Sequence, residues 1–518
     1  DQPTHPRNPT KQDSSTDRRV TPAGLNHLDK FRSGEGFAEY AHALKLCQPF
    51  PDSPEYAAAL ADLSKSYSRT DSRTTAQRYA EEAVQAAHRS GSHEALTRAY
   101  CARAFAYIFD ERADDDSAES LRHARLQNDT RLLTAAQIVR ANYLQQQGRL
   151  AETIELDAEG LREGLDAGLP NKAAFHAGVL ARDLLMVGRF SEADEAVRQG
   201  LALARVQHSG AQIRLAAALL SVRRGDLDRA GLHLQRASEL IPDLEDNPSL
   251  WAPPTLAEYL IATGRPDLAL DMLARTMAVQ IGDPNIVDEM LMWSARSAAE
   301  LCRHARDRRD SNGITHARRL LDDVISLRLE LQPPPFERLT PQNPIPAAFE
   351  ALYIAETARC IADSPTSSTW EQAAQRCAAC GLRWEEAIAS LRWADALLTE
   401  GRSRTTIAVP LRSAYRLAVE MDALPLQQHV ETLATIGKIS LDEPQTSSSE
   451  GPEAFRSLTR REREVLAQLV AGRTYAEIGT ALFISHKTVS VHVSNLLRKT
   501  GTSSGRELAA LAARLEHL

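Results

Sequence analysis

At 518 residues the chain is too long for one ordinary core, and length alone predicts roughly three to four domains unless repeats extend one of them. Alanine and leucine dominate the apolar residues, aromatics are only 5%, and β-branched clusters are rare, which favours helix over sheet; no apolar run is long enough for a bilayer and no secretory leader is read, so a cytoplasmic protein is expected. The net charge of −8 is unevenly spread: residues 456–518 hold 10 Lys/Arg against 5 Glu, giving +5 and leaving −13 on the remainder. An acidic body repels DNA, so such a basic tail alone is expected to touch it.

Residues 1–30 open as a polar segment rich in Pro, Thr, Asp and Arg, expected to be disordered. From about Gly36 the apolar pattern turns helical and stays so, which predicts one α-solenoid over residues 31–439. A repeat carries that prediction. Gly148-Arg149-Leu150-Ala151-Glu152 recurs from Gly188, from Gly225 and from Gly264, at intervals of 40, 37 and 39 residues. Each glycine closes one helical stretch and precedes another, as Ala173–Val187 and Ser191–Val206 do, and glycine takes the left-handed conformation that ends a helix tightly. A small residue five places on lets the next helix approach closely. The unit is a helical hairpin, and stacked hairpins resemble tetratricopeptide-type repeats, with a longer period than their usual one. Weaker copies surround Ala76–Ala87 and Trp384–Leu398.

Gln332–Pro346 and Asp363–Thr369 are proline-rich and predict long loops. The six cysteines (47, 101, 302, 360, 377, 380) show no framework spacing, and Cys377-x-x-Cys380 reads as small buried helix residues rather than a redox pair or half a zinc site. His176, His208 and His233 read as ordinary helix residues. No metal or cofactor is expected. A flexible linker rich in Ser, Pro and acid spans residues 440–455.

The last 63 residues, 456–518, read as four short helices, about 459–471, 475–482, 486–500 and 504–515. Thr459-x-x-Glu462, Thr474-x-x-Glu477 and Ser504-x-x-Glu507 are capping boxes, Ser485 is a further N-cap, and Gly472 and Gly501 are stops. Only Phe483-Ile484-Ser485 separates the second helix from the third, the tight junction of a helix-turn-helix. At about 100° per residue, Val489, Val493, Leu496 and Thr500 share a core face of the third helix. Lys487, Val491, Ser494 and Arg498 lie opposite, flanked by Thr488 and Asn495 on one side and Ser490 on the other. Val491 suits a thymine methyl; Ser490, Ser494 and Asn495 suit base edges or phosphates; Lys487, Arg498 and Lys499 suit phosphates. Thr488 completes the expected DNA-binding set. Composition alone leaves open a packed helical domain with a solvated basic face.

The stretch Leu458–Gly501 resembles the DNA-binding domain of LuxR-type transcription regulators, through Leu458-Thr459-x-Arg461-Glu462-x-Glu464-Val465-Leu466, Gly472, Glu477-Ile478, Leu482, Ser485-x-Lys487-Thr488-Val489-x-x-His492 and Lys499-x-Gly501. The resemblance implies a recognition helix at 486–500 with base contacts from Ser490, Val491 and Ser494, and a last helix that pairs two copies. The sequence departs from that pattern at Gly479, Thr500 and Gly505, where the family usually has Ala, Leu and Arg. Region 4 of sigma factors is similar in pattern, but nothing upstream reads as the rest of a sigma factor. A helical body on this tail also resembles the C-terminal half of the large ATP-binding LuxR-type regulators, with Trp393-Ala394-Asp395-Ala396-Leu397-Leu398 and Gly401-Arg402 among the matching residues. Their ATPase module precedes the repeats, and no G-x-x-x-x-G-K-[ST] occurs here. Either this protein has lost the module or the chain, which begins at Asp1 rather than Met, is a fragment that the module precedes; the fragment is the preferred reading.

The expected protein is therefore all-α, a tetratricopeptide-like hairpin solenoid followed by a four-helix helix-turn-helix domain, acting as a bacterial transcription regulator. Expected partners are double-stranded DNA, a second copy of the chain through the last helix, an effector (a protein segment or a small molecule) on the solenoid's concave surface, and RNA polymerase, with no membrane. One alternative is a repeat scaffold whose tail binds a protein. Another is an enzyme, a thiol redox protein or an ATPase; no nucleophile–base constellation, paired carboxylates or phosphate loop supports it.

Overall fold

Small residues set the packing distance of the helices. On the helix Arg73–Ser90, Ala76, Ala80, Ala83 and Ala87 are all fully buried. Their spacing of four, three and four residues lays them in one stripe, narrow enough for neighbouring backbones to close on it. The computed structural model describes residues 35–68, 72–127, 129–204, 207–242, 244–246, 251–278, 284–331, 343–361, 367–441, 458, 460–482, 486–500, 502 and 507–508. They form two units, divided between Leu441 and Asp442. Among the described residues there is no strand, and no helix is long and apolar enough to cross a membrane. The expected disordered segment 1–30 and all but Ser440 and Leu441 of the expected linker 440–455 lie outside the described residues.

The first unit holds twenty α-helices among its described residues, from Glu35–Cys47 to Leu424–Gly437. Each packs on its neighbours in sequence. In the run Pro54–Ser68, His93–Ala106, Thr130–Gln146, and again in the run Pro170–Met186, Gln207–Arg224, Ala252–Ala262, Pro284–Asp307, Ile345–Ile361, each helix also packs on the next-but-one. These inner helices form one layer and the helices between them a second, which is the tetratricopeptide-like hairpin stack expected. The repeat glycines end the inner helices as expected: Gly148, Gly188, Gly225 and Gly264 all have positive φ. The amide beyond each reaches back to close the last turn, as Arg189 N does to Leu184 O at 2.9 Å. The small residues that follow, Ala193, Ala230 and Ala269, are fully buried. Of the two predicted proline-rich loops, residues 332–342 and 363–366 lie outside the described residues; Ile345 and Pro346 and residues 367–369, placed in those loops, instead open the helices Ile345–Ile361 and Ser367–Ala379.

The stack packs back on itself. Helix Arg383–Thr399 meets Pro170–Met186, and Leu424–Gly437 meets Gln207–Arg224. One core accordingly draws Phe190, Leu184 and Ile213 from the middle hairpins together with Trp384, Leu397, Leu411 and Val430 from the last. A Cβ on Gly225 would stand 2.7 Å from Pro425 Cγ. The repeat glycine thus serves twice, once for its backbone angle and once for this close approach. Here the inner helices of the middle hairpins face helices of the chain's own last hairpins rather than an open concave surface.

Buried charge runs through the same region. Arg223 grips Glu258 through two bonds of 3.1 and 3.0 Å, donates to Leu185 O at 3.0 Å, and lies over the Trp384 ring. Arg296 donates to Glu356 at 2.7 Å and to Glu385 at 3.1 Å. Glu300 gathers Arg303, Arg359 and Arg392 at 2.8–3.0 Å. Burial alone would raise the Glu300 carboxyl, but Arg359 and Arg392, with Arg303, hold it well below the usual carboxylate range. Cys101, Cys302, Cys360 and Cys377 sit as ordinary core residues, while Cys47 and Cys380 are half-buried. Cys377 is fully buried and burial pushes its thiol up; Cys380 donates to Arg376 O and is pushed up to about 11, also by burial. Neither has the lowered value that a reactive thiol needs.

Candidate nucleic-acid interface

In the second unit, the predicted helices appear as Arg460–Val470, Tyr475–Ala481 and His486–Thr500. Of the fourth, predicted at 504–515, only Glu507 and Leu508 are among the described residues; both are helical, and Leu508 is fully buried. Leu458, Val465, Leu466, Ile478, Val489, Val493, Leu496 and Leu508 make one aliphatic core, with Leu469, Tyr475 and Leu482 at its margin. Val489, Val493 and Leu496 recur at four and three residues, so the third helix turns one full edge inward. The predicted core face is therefore observed; the side chain of Thr500, placed with it, lies outside the described residues.

Local chemistry fixes the second helix. Gly472 takes a φ of 75° to end the first, its amide donating to Leu469 O at 3.0 Å. Thr474 and Glu477 then form the predicted capping box: Thr474 N donates to Glu477 Oε2 at 2.8 Å, and Glu477 N to Thr474 Oγ1 at 3.4 Å. The Thr474 amide, followed by the Thr474 hydroxyl, which donates to the same Oε2 at 2.8 Å, holds the Glu477 carboxyl below its ordinary value. The box predicted at Thr459 and Glu462 is not described at Thr459; the Glu462 carboxylate accepts from Lys499. Ser485, Gly501 and Ser504, read as cap and stop residues, lie outside the described residues, as does the junction Phe483–Ser485.

Of the predicted DNA-contacting residues, four have described side chains. Ser494 is exposed and its hydroxyl donates to Ser490 O at 2.9 Å, which leaves its lone pairs facing outward as acceptors. Ser490 and Asn495 are half-buried on either side of the same edge. Lys499 is different: its ammonium donates to Glu462 Oε2 at 2.7 Å. Lys487, Thr488, Val491 and Arg498 are placed on the helix backbone, and their side chains lie outside the described residues. The helix can thus offer a polar edge to a major groove while its opposite edge is held in the core.

Sequence reasoning missed chemistry in the first unit. His176, read as an ordinary helix residue, is fully buried with Nδ1 2.8 Å from Asp157 Oδ1, and burial pushes Asp157 up to about 6. Only the closeness of Gly160 to the His176 ring (2.6 Å from a would-be Cβ) hints at the pairing, and that requires the fold. An open groove of about 550 Å³ lies over Leu121, Leu144 and Leu156, walled by Arg140, Glu155 and Arg162. Among the described residues no group of His, Cys, Asp and Glu is arranged to hold a metal ion.

Residues 456–512 match the bacterial regulatory proteins of the luxR family. Over 62 residues the chain is 45% identical to the uncharacterized transcriptional regulatory protein YhcZ of Bacillus subtilis, covering 12% of this chain and 29% of that protein. Over 71 residues it is 44% identical to the transcriptional regulatory protein LiaR of the same species, covering 14% and 33%. Over 54 residues it is 50% identical to the spore germination protein GerE of Bacillus subtilis, covering 10% of this chain and 72% of that protein. The chain therefore spans a minor part of YhcZ and LiaR but most of GerE. Among solved structures, yeast Tom70 aligns at 13% identity over 80% of this chain and 96% of its own, with a TM-score of 0.29; the hairpin stack rests on its own helix contacts, not on that likeness.

Proposed function

The chain belongs to the luxR family of bacterial regulatory proteins, and we propose that it reads promoter DNA in the cytoplasm, with helix His486–Thr500 entering the major groove and the helical body gating that contact. The observation that carries the reading is the two-sided third helix, Val489, Val493 and Leu496 buried and Ser494 exposed, within the segment half identical to GerE. Lys487 and Arg498 contribute phosphate contacts, and Ser490, Val491, Ser494 and Asn495 with Thr488 meet base edges or the adjacent backbone. Two copies pair through the last helix. The body's input is an effector, a protein segment or small molecule, and RNA polymerase is the downstream partner. No catalytic activity is assigned to this chain.

The test is binding of the full chain to duplex DNA selected from a random pool, followed by fluorescence anisotropy across salt concentration. Lys487→Ala is expected to weaken all sequences alike and flatten the salt slope by about 0.9. Ser494→Ala and Val491→Ala are expected to change sequence preference instead, by about 1–3 kcal/mol per base contact. Unchanged affinity after replacing Lys487, Val491 and Ser494 together rules the reading out. Absent or salt-insensitive binding by the unaltered chain favours a scaffold whose tail binds protein.

A further inference from the structure

Lys499 is the one cation of the predicted phosphate-contacting set whose side chain the structure describes, and it is directed at another helix. Its Nζ lies 2.7 Å from Glu462 Oε2, with the two side chains 22% and 5% exposed. Glu462 stands in the first turn of helix Arg460–Val470, and Lys499 in the last turn of His486–Thr500. Each charge therefore also sits at the helix end whose dipole favours it. Between the two helices lie Val465, Leu466, Val489, Val493 and Leu496.

Apolar contacts hold two helices together but are non-directional, and side chains of similar size tolerate small slides and rotations. A short charged contact at one end removes that freedom. An ammonium that left Glu462 for a phosphate would give up a short charged contact to a nearly sealed carboxylate, a costly exchange. We propose that Lys499 is a positioning residue rather than a phosphate contact: its pair with Glu462 fixes the register of the recognition helix on the first helix and so aims the Ser490, Ser494 and Asn495 edge. This rests on the DNA-reading function proposed above.

The experiment compares the full-length unaltered chain with Lys499→Met, Lys499→Arg, Glu462→Gln and the Lys499→Met/Glu462→Gln double variant. Each is titrated against the selected duplex and an unrelated duplex at several salt concentrations, with its folded fraction read by circular dichroism. Lys499→Met and Glu462→Gln are each expected to weaken the selected duplex about tenfold, as loss of a mostly buried charge pair does. The unrelated duplex is expected to move less than about twofold, with the salt slope unchanged. Lys499→Arg keeps the pair and recovers most of the affinity, and the double variant is no worse than either single one, because both remove the same contact. A salt slope lowered by about 0.9 in Lys499→Met with both duplexes weakened identifies a phosphate contact and overturns the proposal. Equal loss on both duplexes in step with the folded fraction identifies a purely structural role and overturns it too. If the unaltered chain binds no duplex, the DNA-reading function falls and this role falls with it; normal binding by the unaltered chain confines any failure to Lys499.

Discussion

The two units hold their helices together over different ranges. Among its described residues, the second uses eight buried aliphatic side chains and the Lys499–Glu462 pair, all drawn from 51 positions between Leu458 and Leu508. The first returns its last hairpins to helices some two hundred residues earlier, and buries arginine–glutamate pairs near where they meet. A short unit with local contacts needs little beyond apolar packing and caps. A stack of similar hairpins has many near-equivalent ways to fold back, because apolar faces of similar spacing fit one another in more than one register. Buried ion pairs cost desolvation but are satisfied in only one arrangement, so they discriminate among those registers.

The largest expected effect breaks that comparison on the first unit's side. Arg296→Met removes the Glu385 partner and one of the Glu356 partners. It is expected to cost about 3–5 kcal/mol, the usual result of stranding a buried charge. All five tryptophans (251, 293, 370, 384, 393) belong to the first unit, so their fluorescence during urea unfolding reports on that unit alone. An unmoved midpoint shows that the pairs do not hold the closure. Leu496→Ala is the counterpart in the second unit. Loss of this fully buried side chain is expected to cost about 3 kcal/mol there and to abolish duplex binding, with the tryptophan transition unchanged. A tryptophan midpoint that shifts with Leu496→Ala contradicts the division of labour.

What the sequence made legible follows the same line of range. The helix-turn-helix could be read because its signals are local: a capping box within four residues, a glycine stop at Gly472, and three core positions within eight residues of one helix. The hairpin repeat could be read where a glycine marks the left-handed turn. It faded where the chain uses Arg309 and Asp422, with φ of 56° and 55°, for the same kind of turn, because those residues carry no such signature. The fold-back of the stack could not be read at all. It depends on pairs such as Gly225 with Pro425 and Trp384 with Phe190, and no periodicity within one helix says which distant helix covers it. Lys499 shows the limit within a single helix: its position gives a direction, not the neighbour it meets. A matched pair of substitutions sharpens this point. Gly264→Ala, at φ 78° with open space around it, is expected to cost about 1 kcal/mol for backbone strain. Gly225→Ala, at φ 89° and pressed on Pro425, is expected to cost about 2 kcal/mol, because the new methyl must also displace the ring. Equal urea midpoints for the two variants mean that the approach of Gly225 to Pro425 contributes nothing.

The last effect concerns protons. Burial pushes Glu289 from an ordinary value of 4.5 up to about 7, against the opposing pull of Arg182 and of the Trp251 indole, which donates to its Oε2 at 2.9 Å. The folded chain therefore keeps a proton that the unfolded chain releases near pH 4.5. More protons bound in the folded state means that stability falls as pH rises from about 4.5 to about 7, and levels off above. Glu300 has the opposite sign: held low, it contributes stability above the ordinary carboxylate range and loses it on acidification. Asp157, raised to about 6 by burial, adds to the fall with rising pH. The curve of the unaltered chain thus mixes several groups, but the difference between it and Glu289→Gln isolates one. Glutamine cannot release the proton, so the variant is expected to gain about 2–3 kcal/mol relative to the unaltered chain between pH 5 and pH 8, read from tryptophan-monitored urea unfolding. In the second unit the Glu477 carboxyl is held low, so it adds nothing to this gain. A difference that stays flat from pH 5 to pH 8 shows that Glu289 keeps an ordinary carboxylate affinity, and that its surroundings between Arg182 and Trp251 are wetter than the packing indicates.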